Sequence, residues 1–470
     1  MGIRGAARSA LAGIIFGTLL PANLAFAELL FDTPDLALTG RVTSSKEGAM
    51  EGVLVSAQRT GSPISVTVVT NQAGRYSFPV DRLTPGHYAL RIRAIGYELD
   101  GPTTVDVAAK GTVTADLALR NVDDISSQLT STEWLISMPG AEQKRPLIEC
   151  ISCHTLERVV RSRFTDDEFV GVLKRMANYA NNSTMQKVQA RVAEREVPED
   201  RARRVAEYLA TVNLSKRDRW DYELKTLPRP TGAATRVIIT EYDMPRSTIA
   251  PHDVRTDADG FIWYSNFVEP YLGRLDPRTG AHTEFAYQLP KPSFPAGALA
   301  LEPDHDGNWW LAMMFQGGLM KFDTRSKMFH HYPLPAELDS DTAQQSMVMP
   351  RQSHADGKVW TNDVNTHSIL RLDLKTGAYE RVDPFQGMPI GANRQHSPYG
   401  MAADKNNDLY FMDFGDESVG RVDAKTFRAT IYPTPTSHSR PRRTMLDDKG
   451  RLWFAEFAAN KIGMFDLDRE

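Results

Sequence analysis

Asp259-Gly260-Phe261-Ile262-Trp263 is the first of five similar stretches in the second half of this 470-residue chain. Each stretch places a polar turn before a strand that ends in an aromatic residue. The aromatic residues recur every 43 to 50 residues, at Trp263, Trp310, Trp360, Tyr410 and Trp453. An aspartate follows each of them by 13 residues, at Asp276, Asp323, Asp373, Asp423 and Asp466. This period, with no helical pattern inside it, is typical of a four-stranded propeller blade.

We interpret the repeated aromatic and acidic residues as structural. Each aromatic ring should pack between blades, and each aspartate should close the turn after a strand such as Gly273-Arg274-Leu275-Asp276. Residues 235–470 are therefore predicted to form a β-propeller with five visible blades.

The repeats resemble those of the streptogramin lyase (virginiamycin B lyase) family. The resemblance is carried by blades of the form Pro-x-x-x-x-x-Asp-x-x-Gly-x-x-Trp and by Gly-Arg-Leu-Asp-Pro-x-Thr-Gly at residues 273–280. It implies a seven-bladed ring whose late blades hold a metal through glutamates, with a histidine base for lyase chemistry. None of these residues can be matched one by one, so none is carried over. Either the chain is truncated, the ring is smaller, or the remaining blades are absent for another reason.

Residues at the start of each innermost strand should line the mouth of the central channel. Alignment of the repeats places varied polar residues there, namely His252, Asp253, Arg351, Tyr399 and Arg442. Packing alone would favour one residue type at equivalent positions, so this variety predicts a ligand site. Arg351, Arg442 and the adjacent Arg443 predict a small anionic ligand with a carboxylate or phosphate. A solvated mouth without a ligand is the alternative.

The strongest chemical motif is Cys150-Ile151-Ser152-Cys153-His154. Its two cysteines, which are the only two in the chain, can each bind a vinyl group of haem, and the histidine can ligate the iron. We therefore predict one covalent haem c per chain. A thiol redox motif and half a zinc site are the alternatives. No strand of a thioredoxin-like unit is predicted before Cys150, and the next histidine is His252.

The distal iron ligand has two candidates, Met176 and Met185. Thr165-Asp166-Asp167-Glu168 is a capping box that predicts the start of a helix, and Met176 lies on the apolar face of that helix. Met185 lies in the loop that follows. A thioether is a soft ligand that raises the potential of haem iron, whereas ordinary core packing is the alternative role for either methionine.

Residues 133–214 resemble the small cytochrome c domains of multi-domain periplasmic oxidoreductases. The resemblance is carried by Cys150 to Thr155, by Arg175-Met176 and by Tyr208-Leu209-Ala210. It implies a small all-α cytochrome c domain and favours Met176 as the distal ligand. A long polar insert from Asn178 to Glu199 departs from the family pattern and leaves the geometry of the distal loop open.

Residues 1–27 are predicted to be a signal peptide. Arg4 and Arg8 precede an apolar run, and Ala25-Phe26-Ala27 is a cleavage pattern. The protein is therefore expected in the periplasm, with no membrane span in the mature chain. An uncleaved anchor is the alternative.

Residues 38–119 alternate short β-branched strands with glycine turns, a pattern typical of a β-sandwich. They resemble the carboxypeptidase regulatory-like (transthyretin-like) sandwich through Gly40-Arg41-Val42, Gly74-Arg75-Tyr76 and Gly96-Tyr97. The resemblance implies a spacer or adhesion module without a catalytic group.

The composition, with 41% hydrophobic residues and a net charge of -4, argues against a disordered chain and against nucleic-acid binding. We thus expect a multi-domain protein with an N-terminal β-sandwich, a small all-α cytochrome c domain and a C-terminal β-propeller. The leading hypothesis is electron transfer with a soluble or membrane partner, coupled to oxidation of a small substrate on the propeller. A streptogramin-type lyase or hydrolase and a non-catalytic binding protein are the alternatives.

Overall fold

The computed structural model of the protein describes residues 35–467, except Ser152, residues 389–394 and the side chain of Glu149. The signal peptide predicted at residues 1–27 lies outside the described residues. The described chain is mostly β, with an N-terminal sandwich, a helical segment and a set of propeller sheets. Within the described ranges, none of the helices has the length and apolar character needed to cross a membrane.

The N-terminal β-sandwich is confirmed. Its strands are β1 Leu36–Ser44, β2 Gly48–Ala49, β3 Leu54–Arg59, β4 Ile64–Val69, β5 Arg75–Pro79, β6 Gly86–Arg93, β7 Tyr97–Asp100, β8 Thr104–Val107, β9 Val113–Thr114 and β10 Leu117–Asn121. One sheet contains β1, β2, β5, β7, β9 and β10, and the other contains β3, β4, β6 and β8. Alternate residues of the strands, such as Tyr76 and Phe78 of β5, point inward and form one buried core.

A helical segment follows the sandwich. It contains α1 Ser131–Ser137, α2 Leu147–Cys150, α3 Glu157–Val160, α4 Asp166–Ala177 and α5 Glu199–Val212. The predicted capping box starts α4, because Thr165 Oγ1 accepts the backbone N–H of Glu168 and the Glu168 carboxylate accepts that of Thr165. Trp134, Phe169 and Leu209 are buried in a common core.

The segment after α5 packs against the helices. Its charges and prolines favour a linker, yet the ring of Trp220 lies 4.9 Å from that of Trp134. The Trp220 indole N–H donates to the carbonyl of Val160 at 3.2 Å, and the Tyr222 hydroxyl donates to the carbonyl of Val212 at 2.8 Å. The two aromatic side chains therefore complete the helical core.

Strand β11, Ile238–Tyr242, joins the sandwich to the propeller. It pairs antiparallel with β4, so that Ile238 lies opposite Val68 and Tyr242 opposite Ile64. The sequence placed the propeller boundary at residue 235. In the structure, residues 238–242 extend the sandwich sheet, where β4 pairs with their backbone groups, and the strands of the first propeller sheet start at Pro251.

The propeller part consists of five antiparallel sheets made from consecutive strands. The first two contain β12 Pro251–Thr256, β13 Ile262–Asn266, β14 Tyr271–Asp276 and β15 Ala281–Ala286, then β16 Leu301–Pro303, β17 Trp309–Ala312, β18 Gly318–Phe322 and β19 Phe329–Pro333. The next two contain β20 Val348–Met349, β21 Lys358–Asp363, β22 Ser368–Asp373 and β23 Tyr379–Val382, then β24 Pro398–Ala403, β25 Leu409–Asp413, β26 Ser418–Val422 and β27 Ala429–Pro433. The fifth contains β28 Pro441–Leu446, β29 Arg451–Glu456 and β30 Lys461–Asp466.

Four of the five repeated aspartates close turns, as predicted. Asp276 accepts the backbone N–H of Arg278 at 3.0 Å. Asp323, Asp373 and Asp423 each accept the N–H groups of the residues two and three positions later. Four of the five repeated aromatic residues are buried, whereas Trp453 of the fifth sheet is 40% exposed.

A second aspartate in the repeat, the Asp of the pattern Pro-x-x-x-x-x-Asp-x-x-Gly-x-x-Trp, makes a hydrogen bond that the sequence analysis did not predict. Asp257, Asp304 and Asp447 lie six residues before a strand tryptophan, and each accepts a hydrogen bond from that indole at 2.7 to 3.1 Å. The constant spacing of six was the available signal. These bonds fix the turn of the blade to its second strand.

Cross-strand glycines leave room for aromatic rings in three sheets. A Cβ on Gly273, Gly420 or Gly463 would lie 2.0 to 2.3 Å from the ring of Tyr264, Phe411 or Phe454, respectively. Each ring thus lies directly over the glycine of the neighbouring strand.

We predict that Gly420→Ala lowers the stability of the propeller by about 1–3 kcal/mol, because the ring of Phe411 must move. The control is Gly171→Ala in α4, where a Cβ meets nothing within 4 Å, and it should raise stability by about 0.5–1 kcal/mol. Thermal unfolding followed by tryptophan fluorescence measures both. An unchanged transition in Gly420→Ala would contradict this packing.

Candidate functional site

The Cys150–His154 motif lies between α2 and α3. Cys150 is the last residue of α2, and Cys153 and His154 follow in the connecting loop. His154 Nδ1 lies 2.9 Å from the carbonyl oxygen of Thr155. Because a carbonyl only accepts, Nδ1 carries a proton, so it is Nε2 that holds the lone pair in the neutral form of the ring. Metal-ligating histidines adopt this arrangement, in which one nitrogen donates to a carbonyl and the other binds the metal.

A cavity of about 520 Å³ opens beside this loop. Cys153 and His154 line it from the motif, Arg158 and Arg161 from the region of α3, and Met185 from the insert. The volume falls within the range of roughly 300–1,000 Å³ that is typical of small-molecule and cofactor sites.

Of the two predicted distal ligands, Met185 lines this cavity and Met176 does not. Met176 lies half-buried in the last turns of α4. The insert folds back as a hairpin, since the N–H of Ala180 donates to the carbonyl of Gln189 at 2.8 Å. The N–H of Thr184 donates to the carbonyl of Lys187 at 3.0 Å, which places Met185 in the turn at the hairpin tip. The resemblance favoured Met176, and the fold of the insert brings the alternative residue to the motif.

The base of the same hairpin contacts the propeller. The Asn182 side chain is buried, and its Nδ2 donates to the carbonyl of Ala296 at 2.6 Å. Gln189 Nε2 donates to the same carbonyl at 3.1 Å, and Gln189 Oε1 accepts the N–H of Ala296 at 2.7 Å. Ala180 is buried in the main propeller core. The insert therefore lies between the cavity and the start of the second blade.

At the channel mouth, the structure joins His252 and Asp253 to Arg443. His252 Nδ1 lies 2.9 Å from Asp253, and the Arg443 guanidinium donates to both oxygens of Asp253 at 3.1 and 3.3 Å. This contact connects the fifth sheet to the first. Arg442 lies instead over the rings of Tyr399, Phe414 and Phe457, at 5.2 to 5.8 Å from their centres.

Carboxylates offset much of the positive charge that the sequence predicted here. Arg351 lies 3.5 Å from Glu302, which also pairs with Arg255. The sequence analysis missed Glu302 because it lies inside a short strand rather than at its start. Three arginines near the mouth, Arg255, Arg351 and Arg443, therefore contact an acid.

Asp253 is held in its charged form. Burial by itself would raise the pKa of this carboxyl, but the hydrogen bond with His252 and the charge of Arg443 outweigh burial and set the pKa below its usual value. Because the folded pKa lies below the unfolded one, the resulting stabilisation is complete above the unfolded value of about 3.9 and is lost as the pH falls through the folded pKa.

A histidine and two aspartates in the fourth sheet also lie close together. Ligand atoms of His396, Asp413 and Asp416 are within 4.8 Å of one another. However, Asp413 Oδ1 already accepts the N–H groups of Ser397 and Gly415 at 2.7 and 3.1 Å. Asn266 and Asp363 accept backbone N–H groups at the same position of other blades. Asp413 thus closes a turn common to the repeat.

The sandwich, the helical segment and the propeller sheets define a multi-domain, mostly β protein. The model of the virginiamycin B lyase family matches residues 231–470, which is just over half of the chain. The chain belongs to the virginiamycin B lyase family. The carboxypeptidase regulatory-like domain matches residues 37–120.

Three solved structures show distant likenesses. Selenomethionine-substituted virginiamycin B lyase from Staphylococcus aureus is 19% identical with a TM-score of 0.40, over 50% of this chain and 72% of that one. A streptogramin B lyase structure is 22% identical with the same TM-score and coverage. Hydrazine synthase of Kuenenia stuttgartiensis is 12% identical with a TM-score of 0.36, over 46% of this chain and 65% of that one. No curated protein matches the chain.

We predict that Arg443→Met destabilises the propeller by about 2 kcal/mol above pH 5, because Asp253 loses a charged hydrogen-bond donor. The deficit relative to the unchanged protein should shrink as the pH falls and should disappear only below the lowered folded pKa of Asp253, where the carboxyl is protonated in both proteins. Urea unfolding at several pH values measures this difference. Arg442→Met, which leaves Asp253 paired, should show no such pH-dependent change; an equal change in both variants would contradict the assignment.

Proposed function

We propose that the protein is an exported mono-haem c-type cytochrome fused to a propeller, and that it acts in electron transfer. The observation that carries this proposal is the geometry of the Cys150–His154 motif. Both cysteines precede a histidine whose Nδ1 donates to a carbonyl, which leaves Nε2 available to iron.

The donor set beside the cavity fits a covalent haem. Cys150 and Cys153 would hold the porphyrin through thioether bonds, and His154 would supply the proximal nitrogen. The cavity volume of about 520 Å³ suits a cofactor. Arg158 at its rim suits a propionate carboxylate, because a guanidinium group binds a carboxylate through paired hydrogen bonds, whereas Arg161 pairs with Glu157 at 2.8 Å.

Met185 is the distal ligand that the fold supports best. It lines the cavity together with His154 and is 42% exposed, so its thioether is not committed to a core. When bound, haem would supply one-electron exchange between ferric and ferrous iron. The chain's own contribution would be to hold the two axial ligands and to exclude solvent from the iron.

The propeller would bind a small substrate whose oxidation delivers the electron. His252, Asp253, Arg351, Tyr399 and Arg442 stay the proposed ligand residues at the channel mouth. In the described contacts, Arg442 packs on aromatic rings rather than on a carboxylate. Its guanidinium group therefore suits an anionic group on the ligand. Electrons would pass to a soluble or membrane partner in the periplasm.

We predict that Cys150→Ala with Cys153→Ala abolishes a haem that otherwise survives denaturation, because both thioether bonds are lost. Visible spectra of the denatured protein after periplasmic expression measure this. A chain that carries no covalent haem would contradict the proposed function.

Two single variants of the haem-containing protein distinguish the two candidate distal ligands. Met185→Ala should remove the near-infrared band of a thioether bound to ferric iron, and Met176→Ala should keep it. The opposite pair of results would assign the ligand to Met176.

Membership of the virginiamycin B lyase family favours a second candidate, a streptogramin-type lyase or hydrolase on the propeller. The channel mouth offers one histidine–carboxylate pair, His252 with Asp253, and the latter is already neutralised by Arg443. A base and an electrophile aimed at the same bond are needed for such chemistry. The third candidate is a non-catalytic binding protein.

We predict that the purified protein does not linearise cyclic streptogramin-type depsipeptides in the presence of magnesium, because its carboxylates at the mouth pair with arginines. Liquid chromatography of the substrate after incubation is the measurement. Turnover that persists in the Cys150→Ala/Cys153→Ala variant would establish the lyase and make the haem dispensable for it.

A further inference from the structure

The insert is fastened to the propeller at one backbone position. Asn182 and Gln189, which we call the clamp, make three hydrogen bonds with the N–H and carbonyl groups of Ala296. Gln189 Nε2 also donates to the carbonyl of Asn182 at 2.6 Å, which ties the two sides of the hairpin together. Each polar atom of the Gln189 amide therefore has a partner, and the amide can be placed in one orientation only.

Further contacts support the clamp on both sides. Lys187 Nζ lies 3.9 Å from the buried Glu269 of the first blade. The Arg191 guanidinium lies 5.9 Å from the ring of Phe315 in the second blade. Ala180 is buried against propeller side chains. The base of the hairpin is thus part of the propeller surface, although the chain enters it from α4.

The clamp lies close to Met185 along the hairpin. Asn182 precedes Met185 by three residues and Gln189 follows it by four, and the Thr184–Lys187 hydrogen bond closes the turn between them. In a short closed turn, the position of the base restricts the position of the tip, because few backbone dihedrals remain free. The position of the Met185 thioether is therefore set by the propeller rather than by the helical core.

We infer that Asn182 and Gln189 are positioning residues, and that through them the propeller holds Met185 in place as the distal haem ligand. This inference rests on the proposed function. The propeller would then influence the reduction potential of the haem iron. A thioether ligand that is firmly held keeps this potential high and prevents exogenous ligands from binding to the iron. Hydrogen bonds that hold a ligand in the correct orientation are common at metal sites.

Gln189→Glu is the sharpest test, because it keeps the shape and replaces the Nε2 donor by an oxygen. That oxygen would face the carbonyls of Asn182 and Ala296, both of which are acceptors. Above pH 6 the clamp should open, and the population of the closed insert should fall about tenfold or more. Glu194→Gln changes the charge of an exposed position in the same insert and serves as the control.

Three measurements on the full-length haem protein report the result. In Gln189→Glu, the covalent haem content should stay unchanged, the near-infrared thioether band should weaken or disappear, and imidazole should bind ferric iron at least tenfold faster. Limited proteolysis should cut the insert in Gln189→Glu and spare it in Glu194→Gln.

Two outcomes would overturn the inference, and they are distinguishable. If Met185→Ala removes the band but Gln189→Glu leaves the band, the imidazole rate and the proteolysis unchanged, the propeller does not position the ligand and the proposed function stands. If the unchanged protein carries no covalent haem, the proposed function fails and the inference fails with it.

Discussion

The hydrogen bond between a strand tryptophan and the aspartate six residues before it holds each of three propeller blades in register. An indole N–H that is buried without a partner is costly, so the bond makes it possible to bury the large ring. Asp304 and Trp310 show this at 3.1 Å, with the ring of Trp310 fully buried. In two of these blades, the second strand pairs with the innermost strand that carries His252 and Asp253 or Arg442 and Arg443, so the bond helps to place these residues of the channel mouth.

The three parts of the chain are connected by more than their linkers. Strand β11 adds to the sandwich sheet through β4, so the approach to the first blade is also a sandwich strand. Gly280 in the first blade lies where a Cβ would contact Pro63 and Ile64 of the sandwich. The clamp then attaches the helical segment to the second blade. Backbone groups at each junction find partners in another part, as buried backbone groups must.

One of these junctions connects the Cys150–His154 motif to the part of the chain that matches the virginiamycin B lyase family. The family match covers residues 231–470, and the cysteine–histidine motif lies outside it. The insert is the physical connection between them, because its tip reaches the cavity beside His154 and its base is buried against the propeller.

Local patterns in the sequence determined the sandwich, the propeller repeat, the turn aspartates and the start of α4, because turn residues, β-branched alternation and capping boxes act over a few residues. The Cys150–His154 motif is also a local pattern, and the haem that it indicates stays a prediction. Tertiary structure decided the rest. The composition of residues 213–234 resembles a linker, yet Trp220 packs on Trp134. Strand β11 pairs with β4 of the sandwich, although about 170 residues separate them in the chain. Met185 lies at the cavity and Arg443 contacts Asp253 because residues far apart in the chain pack together. Local spacing in the sequence does not encode such contacts.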